Sequence, residues 1–207
     1  MNLVFDFGAV LFTWQPGQFL LQIFPGQVGS LEAARHLAHQ VVGHPDWHDF
    51  DRGVLDTAAL IERTSQRLDL PLASVQALIN GIGERLIPID GTLALLQELR
   101  QRRLTQDGVT GLYYLSNMPD VYARVLEANF AFLQWFDGGI FSCDVKHIKP
   151  DPAIYQLLQD RYRLEPTTTL FIDDLKANVA VARTLGWQGI HYESPQQLQS
   201  QLALLGL

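Results

Sequence analysis

Short apolar segments alternate with amphipathic segments along most of this chain. Apolar runs of four or five residues lie at 3–7, 111–115, 169–172 and 189–192, and Asp6 interrupts the first of them. Runs of this length and composition predict buried strands. Helical patterns separate them, at residues 92–103, 119–129, 151–162, 176–185 and 195–205. Strands that alternate with helices predict βαβ units and a parallel sheet.

Residues 14–88 depart from this alternation, because they show helical patterns but no convincing strand. Asp56 is expected to cap a helix that begins at Thr57. Breaks lie at Pro16-Gly17, Pro25-Gly26, His44-Pro45 and Leu70-Pro71. We therefore predict an α/β fold in which residues 1–13 and 89–207 form a Rossmann-like parallel sheet flanked by helices. About four helices at 14–88 would form an inserted, all-helical cap domain.

The composition excludes several function classes. Of the 207 residues, 47 % are hydrophobic and 18 % are charged, which suits a substantial buried core. The formal net charge of −7 argues against a nucleic-acid or anionic-membrane partner, because both bind clustered lysine and arginine. No apolar run is long enough to span a bilayer, and the N-terminus lacks a signal-peptide pattern.

Cys143 is the only cysteine, so no intramolecular disulfide can form. This fits a reducing cytoplasm, which is the location that we expect. The sequence leaves the oligomeric state open.

Polar residues follow three of the predicted strands. They are Asp6, then Ser116 and Asn117, and then Asp173 and Asp174. Lys149 precedes Pro150 at the start of a predicted helix. Because ligands of open parallel sheets bind beyond the carboxyl ends of the strands, these side chains can converge. A carboxylate, a hydroxyl, a lysine and a carboxylate pair, in this order, predict phosphoryl transfer through an aspartate at a magnesium site.

This order of motifs resembles the haloacid dehalogenase superfamily, whose members are mostly phosphatases. The motifs are FDFG at 5–8, LSN at 115–117, KP at 149–150 and FIDD at 171–174, and the helical insertion matches the usual position of the cap. Residues 6–10 (DFGAV) look like the bacterial α-glucose-1-phosphate phosphatase branch, which also has glycine two residues after the nucleophile. The FDRG segment at 50–53 is similar as well.

The resemblance implies a catalytic role for Asp6, which would attack phosphorus and become an aspartyl phosphate. Ser116 and the backbone amide of Asn117 would bind phosphate oxygens. Lys149 would pair with the phosphate and with the carboxylates, as a second catalytic residue.

The resemblance also implies a Mg²⁺ site, since this ion prefers oxygen ligands. Its ligands would be Asp6, the backbone carbonyl of Gly8, Asp173 and Asp174. Asn178 would orient the loop that carries Asp174. The expected function is Mg²⁺-dependent hydrolysis of a small phosphorylated metabolite, a sugar phosphate, through an aspartyl-phosphate intermediate.

Gly8 departs from the general family pattern, which has a second aspartate at this position to protonate the leaving group. General acid catalysis is typically worth about 10²–10⁴-fold, so leaving groups of high pKa should react slowly unless another donor is present. Water, the substrate or a cap residue could donate the proton, and His48 and Arg52 are the candidates in the cap.

Two other functions stay open. A 2-haloacid dehalogenase would use the same aspartate on carbon without a metal. Asp173 and Asp174 argue against it, because they would repel the substrate carboxylate unless a cation is bound there. A non-catalytic phosphometabolite-binding protein with a degenerate site is the other alternative, and Gly8 is its only support.

Overall fold

A parallel sheet of five strands forms the centre of the protein, whose computed structural model describes all residues, 1–207. In chain order the strands are β1 (Asn2–Phe5), β2 (Gly111–Ser116), β3 (Gly138–Phe141), β4 (Thr169–Asp173) and β5 (Gln188–His191). Their order across the sheet is β3-β2-β1-β4-β5, and each neighbouring pair is parallel. The predicted α/β fold with a Rossmann-like parallel sheet is therefore confirmed.

Helices flank the sheet and fill the long connection between β1 and β2. Five lie early in that connection: α1 (Pro16–Ile23), α2 (Leu31–Val42), α3 (Pro45–Asp51), α4 (Thr57–Leu68) and α5 (Leu72–Gly81). Six follow: α6 (Asp90–Leu104), α7 (Asp120–Asn129), α8 (Ser142–Val145), α9 (Pro152–Tyr162), α10 (Lys176–Thr184) and α11 (Pro195–Leu204). Short 3₁₀ turns occupy Gly83–Arg85, Ala131–Trp135 and Pro166–Thr168. None of the helices combines the length and the apolar character that crossing a membrane requires.

The central strand β1 is apolar on both faces, because the sheet is covered on both sides. Leu3, Val4 and Phe5 are fully buried, and alternate side chains of a strand point to opposite faces. Leu3 and Phe5 belong to a cluster of 43 buried hydrophobic residues that continues through α1 to α5. Val4 belongs to a cluster of 10 that includes residues of α9 and α10. The helices inserted after β1 and one face of the sheet therefore share a continuous hydrophobic core.

Aromatic packing fixes the turn that follows β1. The buried ring of Phe7 lies 4.9 Å from that of Tyr114, 5.3 Å from Phe141 and 5.5 Å from Phe12, measured between ring centroids. Such pairs contribute about 0.5–1.5 kcal/mol each beyond the area that they bury. Because Phe7 is anchored, the neighbouring Asp6 is held at the carboxyl end of β1.

The inserted helices leave and rejoin the sheet region at adjacent positions. The amide of Thr13 donates to the carbonyl of Ile87, and the amide of Ile89 donates to the carbonyl of Leu11, both at 2.8 Å. No residue between 14 and 88 belongs to a strand of the sheet. The division into a core domain (1–13 and 89–207) and a cap domain (14–88) stays a prediction, and its boundaries fall beside these two bonds.

Strand β3, the short helix α8 and the number of inserted helices differ from the prediction made from the sequence. Strand β3 was missed, because its sequence GGIF has only two apolar residues and glycine gives no strand signal. Five helices, rather than about four, lie within residues 14–88. His44-Pro45 separates α2 from α3 as predicted, and its proline opens α3, a position that suits its fixed φ. Asp56 caps α4 as predicted.

Candidate active site

Three polar strand ends converge where the order of strands in the sheet reverses. The chain runs from β1 outward through β2 to β3 and then returns to β4 on the other side of β1. The carboxyl end of β1 thus lies between those of β2 and β4, and such a crevice is where open α/β sheets bind ligands. Asp6 follows β1, Ser116 ends β2 and Asp173 ends β4, and all three are buried.

Lys149 connects two of these strand ends. Its Nζ lies 2.9 Å from Oδ1 of Asp6 and 2.6 Å from Oδ2 of Asp173. Its side chain is only 1 % exposed, and Nζ lies 5.3 Å from the centroid of the Phe171 ring. Burial alone would lower the pKa of Lys149, but the two carboxylates outweigh it and raise the pKa. Lys149 is therefore a fixed positive charge between two carboxylates.

Asp173 is held in one orientation by further hydrogen bonds. Its Oδ1 accepts the amide of Leu175 at 2.8 Å, and Nδ2 of Asn178 lies 2.9 and 3.0 Å from its two oxygens. Asn178 is itself buried, and its carbonyl accepts the hydroxyl of Tyr155 at 3.0 Å. Asn178 was expected to orient the loop that carries Asp174, and its side chain bonds to the adjacent Asp173.

Asp6, Asp173 and Asp174 place carboxylate oxygens within 4.8 Å of one another. Burial raises the pKa of Asp6 to about 7, although Lys149 opposes this shift. Burial, followed by the charge of Asp173, raises the pKa of Asp174 to about 6. One lysine does not neutralise three carboxylates. A buried, oxygen-rich site with excess negative charge fits a hard divalent cation such as Mg²⁺.

The other predicted site residues, Gly8, Ser116 and Asn117, line the same cavity. The side chain of Asn117 binds the backbone of Lys149: Oδ1 accepts its amide at 2.7 Å, and Nδ2 donates to its carbonyl at 3.0 Å. Asn117 therefore positions Lys149. The sequence indicated only the backbone amide of Asn117 as a phosphate ligand, and not this contact of its side chain.

A cavity of about 560 Å³ opens over these strand ends, within the usual range of about 300–1,000 Å³ for small-molecule sites. The residues 14–88 supply the facing surface, which we call the cap wall. Its apolar members are Trp14, Val42, Trp47 and Leu86, and its polar members are His48, Asp51 and Arg52. The cavity therefore has a charged end at the sheet and a mixed, largely apolar end at the cap wall.

Two residues beside the cavity were not found from the sequence. Asp51, in the last turn of α3, is buried, and burial raises its pKa to about 8. The buried hydroxyl of Ser142 donates to the carbonyl of Asp51 and accepts the amide of Met118 at 2.8 Å. Only the FDRG resemblance pointed to this region, because a local pattern does not say which face of α3 meets the sheet.

Comparison with known proteins decides the family. Residues 14–186 match the family model of haloacid dehalogenase-like hydrolases. The chain belongs to this family. A sesquiterpene phosphatase of Aspergillus oryzae is 26 % identical to this hydrolase over 189 residues, which are 91 % of this chain and 87 % of that protein.

Solved structures share the fold of this hydrolase. A haloacid dehalogenase family enzyme of Bacteroides thetaiotaomicron, in complex with magnesium and inorganic phosphate, aligns with a TM-score of 0.68 at 21 % identity over 93 % of both chains. The L-2-haloacid dehalogenase of Xanthobacter autotrophicus aligns with a TM-score of 0.67 at 20 % identity, over 98 % of this chain and 82 % of that one. The glucose-1-phosphate phosphatase branch stays a prediction.

Proposed function

We propose that this hydrolase is a Mg²⁺-dependent phosphatase that cleaves small phosphate monoesters through a phosphorylated aspartate. The observation that carries the proposal is the cluster of Asp6, Asp173 and Asp174, with Lys149 bonded between two of them, at one end of the cavity. Phosphoryl transfer depends mainly on positioning and on positive charge around the transferred group. The name of the fungal relative, a sesquiterpene phosphatase, agrees with this chemistry.

The reaction has two halves at Asp6. In the first, its carboxylate attacks phosphorus and forms an aspartyl phosphate while the alcohol leaves. In the second, water attacks the same phosphorus, which releases orthophosphate and restores Asp6. The amide of Phe7 donates to Oδ1 of Asp6 at 2.7 Å, and Lys149 bonds to the same oxygen. These two contacts hold the nucleophile in one orientation.

The phosphate group is bound by the hydroxyl of Ser116, the backbone amide of Asn117 and the ammonium group of Lys149. A lysine has three donors, and two of those on Lys149 point to Asp6 and Asp173. The third is available for a phosphate oxygen. The side chain of Asn117 also bonds to the backbone of Lys149, so these two phosphate-binding residues are connected directly.

We assign the metal to Asp6, the backbone carbonyl of Gly8, Asp173 and Asp174. A bound Mg²⁺ ion supplies the positive charge that lets an anionic phosphate approach an anionic nucleophile. The geometry supports this assignment, because the oxygens of three carboxylates lie within 4.8 Å of one another and only one lysine pairs with them.

The cap wall supports a sugar phosphate as the first candidate substrate. Aromatic faces such as those of Trp14 and Trp47 suit the apolar face of a sugar ring, and both rings line the cavity. His48, Asp51 and Arg52 offer polar partners for sugar hydroxyls.

An isoprenoid phosphate is the second candidate. Val42 and Leu86 add aliphatic surface to the two tryptophans of the cap wall, and such a lining suits a hydrocarbon chain. The name of the relative from Aspergillus oryzae points to the same class.

Phosphate release from a panel of sugar phosphates and isoprenoid phosphates, with Mg²⁺ and with chelator, tests the proposal. We expect release that requires Mg²⁺, with the highest kcat/KM on a sugar phosphate. A higher kcat/KM on the isoprenoid esters would make the second candidate the substrate class. The absence of release from every ester would contradict the phosphatase.

Dehalogenation of 2-haloacids is the alternative that the fold permits. The carboxylates of Asp6, Asp173 and Asp174 disfavour it, because without a cation they would repel the carboxylate of a haloacid. Halide release in the presence of chelator would establish this alternative, and we expect none.

Tight binding of a phosphosugar in calorimetry without turnover would indicate a binding protein instead.

We also propose a cytoplasmic location. The thiol of Cys143 is free and buried, and burial raises its pKa to about 12, so it is poorly reactive. A chain with one free thiol and no disulfide fits a reducing compartment.

A further inference from the structure

The proposed reaction needs a proton donor that Gly8 does not provide. When the bond between phosphorus and the alcohol oxygen breaks, the electron pair stays on that oxygen, so a nearby acid accelerates the step. Lack of room does not explain why glycine, rather than an aspartate, stands at position 8. A Cβ added to Gly8 would lie 3.9 Å from Cβ of Trp14, which is ordinary van der Waals contact.

Asp51 presents a carboxyl group to the cavity from the cap wall. It is 8 % exposed and lines the cavity together with Asp6. It lies outside the carboxylate cluster that we assign to the metal. The hydrogen bond from Ser142 goes to its backbone carbonyl, whereas its carboxyl group accepts no hydrogen bond and forms no ion pair within the protein. Its carboxyl oxygens stay accessible from the cavity rather than sealed in the core, so a ligand bound in the cavity can become their hydrogen-bond partner.

The backbone around Asp51 is attached to the sheet domain at two points. Ser142 donates to the carbonyl of Asp51, and the ammonium group of Lys146 donates to the carbonyl of Gly53 at 2.9 Å. Ser142 also accepts the amide of Met118, which directly follows the phosphate-binding segment at 116–117. These bonds fix the backbone that carries Asp51 relative to the phosphate-binding segment.

We propose that Asp51 is the general acid and base of this hydrolase, an inference that rests on the proposed phosphatase function. In the first half-reaction an oxygen of Asp6 bonds to phosphorus, and the bond from phosphorus to the alcohol oxygen breaks. The carboxyl proton of Asp51 moves to that oxygen, so the alcohol leaves neutral. In the second half-reaction the Asp51 carboxylate takes a proton from the attacking water. The bond from phosphorus to Asp6 then breaks, and both side chains return to their starting states.

The surroundings of Asp51 favour its protonated form at neutral pH. Burial is the largest cause and raises its pKa to about 8. The charges of Arg52 and Lys149 lower this pKa, and that of Asp6 raises it. The phenol of Tyr122 on α7 is uncharged, since burial raises its own pKa.

The two cap residues named from the sequence fit this role less well. Burial lowers the pKa of His48, so its imidazole is mainly neutral at pH 7. Arg52 donates to Asp49 at 3.1 Å, and a guanidinium does not release a proton in this pH range. Asp51 is the residue of the cap wall that is both buried and able to donate.

Phenyl phosphate and p-nitrophenyl phosphate can distinguish a general acid from a residue that only binds the substrate. The two esters are similar in shape, but their leaving groups differ in basicity. In Asp51→Asn we expect kcat/KM to fall about 10²–10⁴-fold on phenyl phosphate and less than about tenfold on p-nitrophenyl phosphate. Asp49→Asn, on the same helix and outside the cavity, is the control and should leave the ratio of the two esters unchanged. Adding Gly8→Asp to Asp51→Asn should restore part of the activity on phenyl phosphate.

A second measurement uses the unmodified protein, so it does not depend on how a variant folds. As the pH rises through about 8, kcat/KM should fall on phenyl phosphate but stay level on p-nitrophenyl phosphate. Parallel pH profiles, or equal losses on both esters in Asp51→Asn, would overturn the role of Asp51 while leaving the phosphatase intact. Release of phosphate from neither ester by the unmodified protein would instead contradict the proposed function.

Discussion

A single buried lysine pairs with two of the three carboxylates clustered at the site. Removing one member of a buried ion pair leaves an uncompensated charge and typically costs about 3–5 kcal/mol. Lys149 pairs with both Asp6 and Asp173. We therefore expect Lys149→Met, measured by urea unfolding without Mg²⁺, to lose about this much unfolding free energy. Phosphate release should be lost as well.

Lys176→Met is the matched control, because Lys176 is exposed at the start of α10. It should change the free energy of unfolding by no more than about 0.5 kcal/mol. If Lys149→Met were as mild as this control, the buried ion pairs of Lys149 would contribute far less than the geometry indicates.

Asp51 gives the stability of the fold a pH dependence with a defined sign. Its pKa is about 8 in the folded state and about 3.9 in an unfolded chain. The folded state therefore binds this proton more tightly, and the associated stability is present below about pH 4 and lost as the pH rises through about 8. Asp51→Asn does not titrate, so in thermal melts it should gain stability relative to the parent between pH 4 and 9. A difference that stays constant with pH would contradict the buried, protonated carboxyl group.

At the scale of elements, β3 shows where the local sequence pattern fails. Its glycines carry no strand preference, but they make room for aromatic rings from neighbouring elements. The hydroxyl of Tyr162 lies 3.0 Å from the amide of Gly139, and a Cβ on Gly139 would lie 2.3 Å from Cγ of Tyr114. This requirement comes from the packing of other elements, so the segment 138–141 does not reveal it.

Gly139→Ala tests this explanation of β3. The added methyl group meets the base of the Tyr114 ring, which packs against the rings of Phe7, Phe136 and Phe141. Overpacking of this kind typically costs about 1–3 kcal/mol. Gly26→Ala is the control, because nothing lies within 4 Å of a Cβ at that position. Urea unfolding should separate the two variants by at least about 1 kcal/mol. Equal stability would mean that β3 tolerates a side chain at Gly139.

The elements also explain how much of the candidate site could be predicted. Asp6, Ser116 and Asp173 end or follow parallel strands, so one topological rule brings them together. Asp51 could not be placed in this way. Its position depends on which face of α3 meets the sheet, and that is set by contacts such as the bond from Ser142, 91 residues away in the chain.

At the scale of the whole molecule, the cavity lies between the sheet and the helices inserted after β1. A continuous hydrophobic core joins the two, so the cap wall is fixed against the strand ends by packing as well as by hydrogen bonds. The alternation of strands and helices was sufficient to predict a parallel sheet and four of its five strands. It was not sufficient to predict how residues 14–88 dock, because long-range packing determines that arrangement.

The assignment of Asp6 as the nucleophile is tested most directly by phosphate release from p-nitrophenyl phosphate, with and without Mg²⁺. The parent protein is compared with Asp6→Asn and with Asp160→Asn, whose aspartate is exposed on α9. The parent and Asp160→Asn should release phosphate only when Mg²⁺ is present, and Asp6→Asn should be slower by at least about 10³-fold. Undiminished release by Asp6→Asn, or release by the parent that chelation does not affect, would contradict phosphoryl transfer through Asp6 at a metal site.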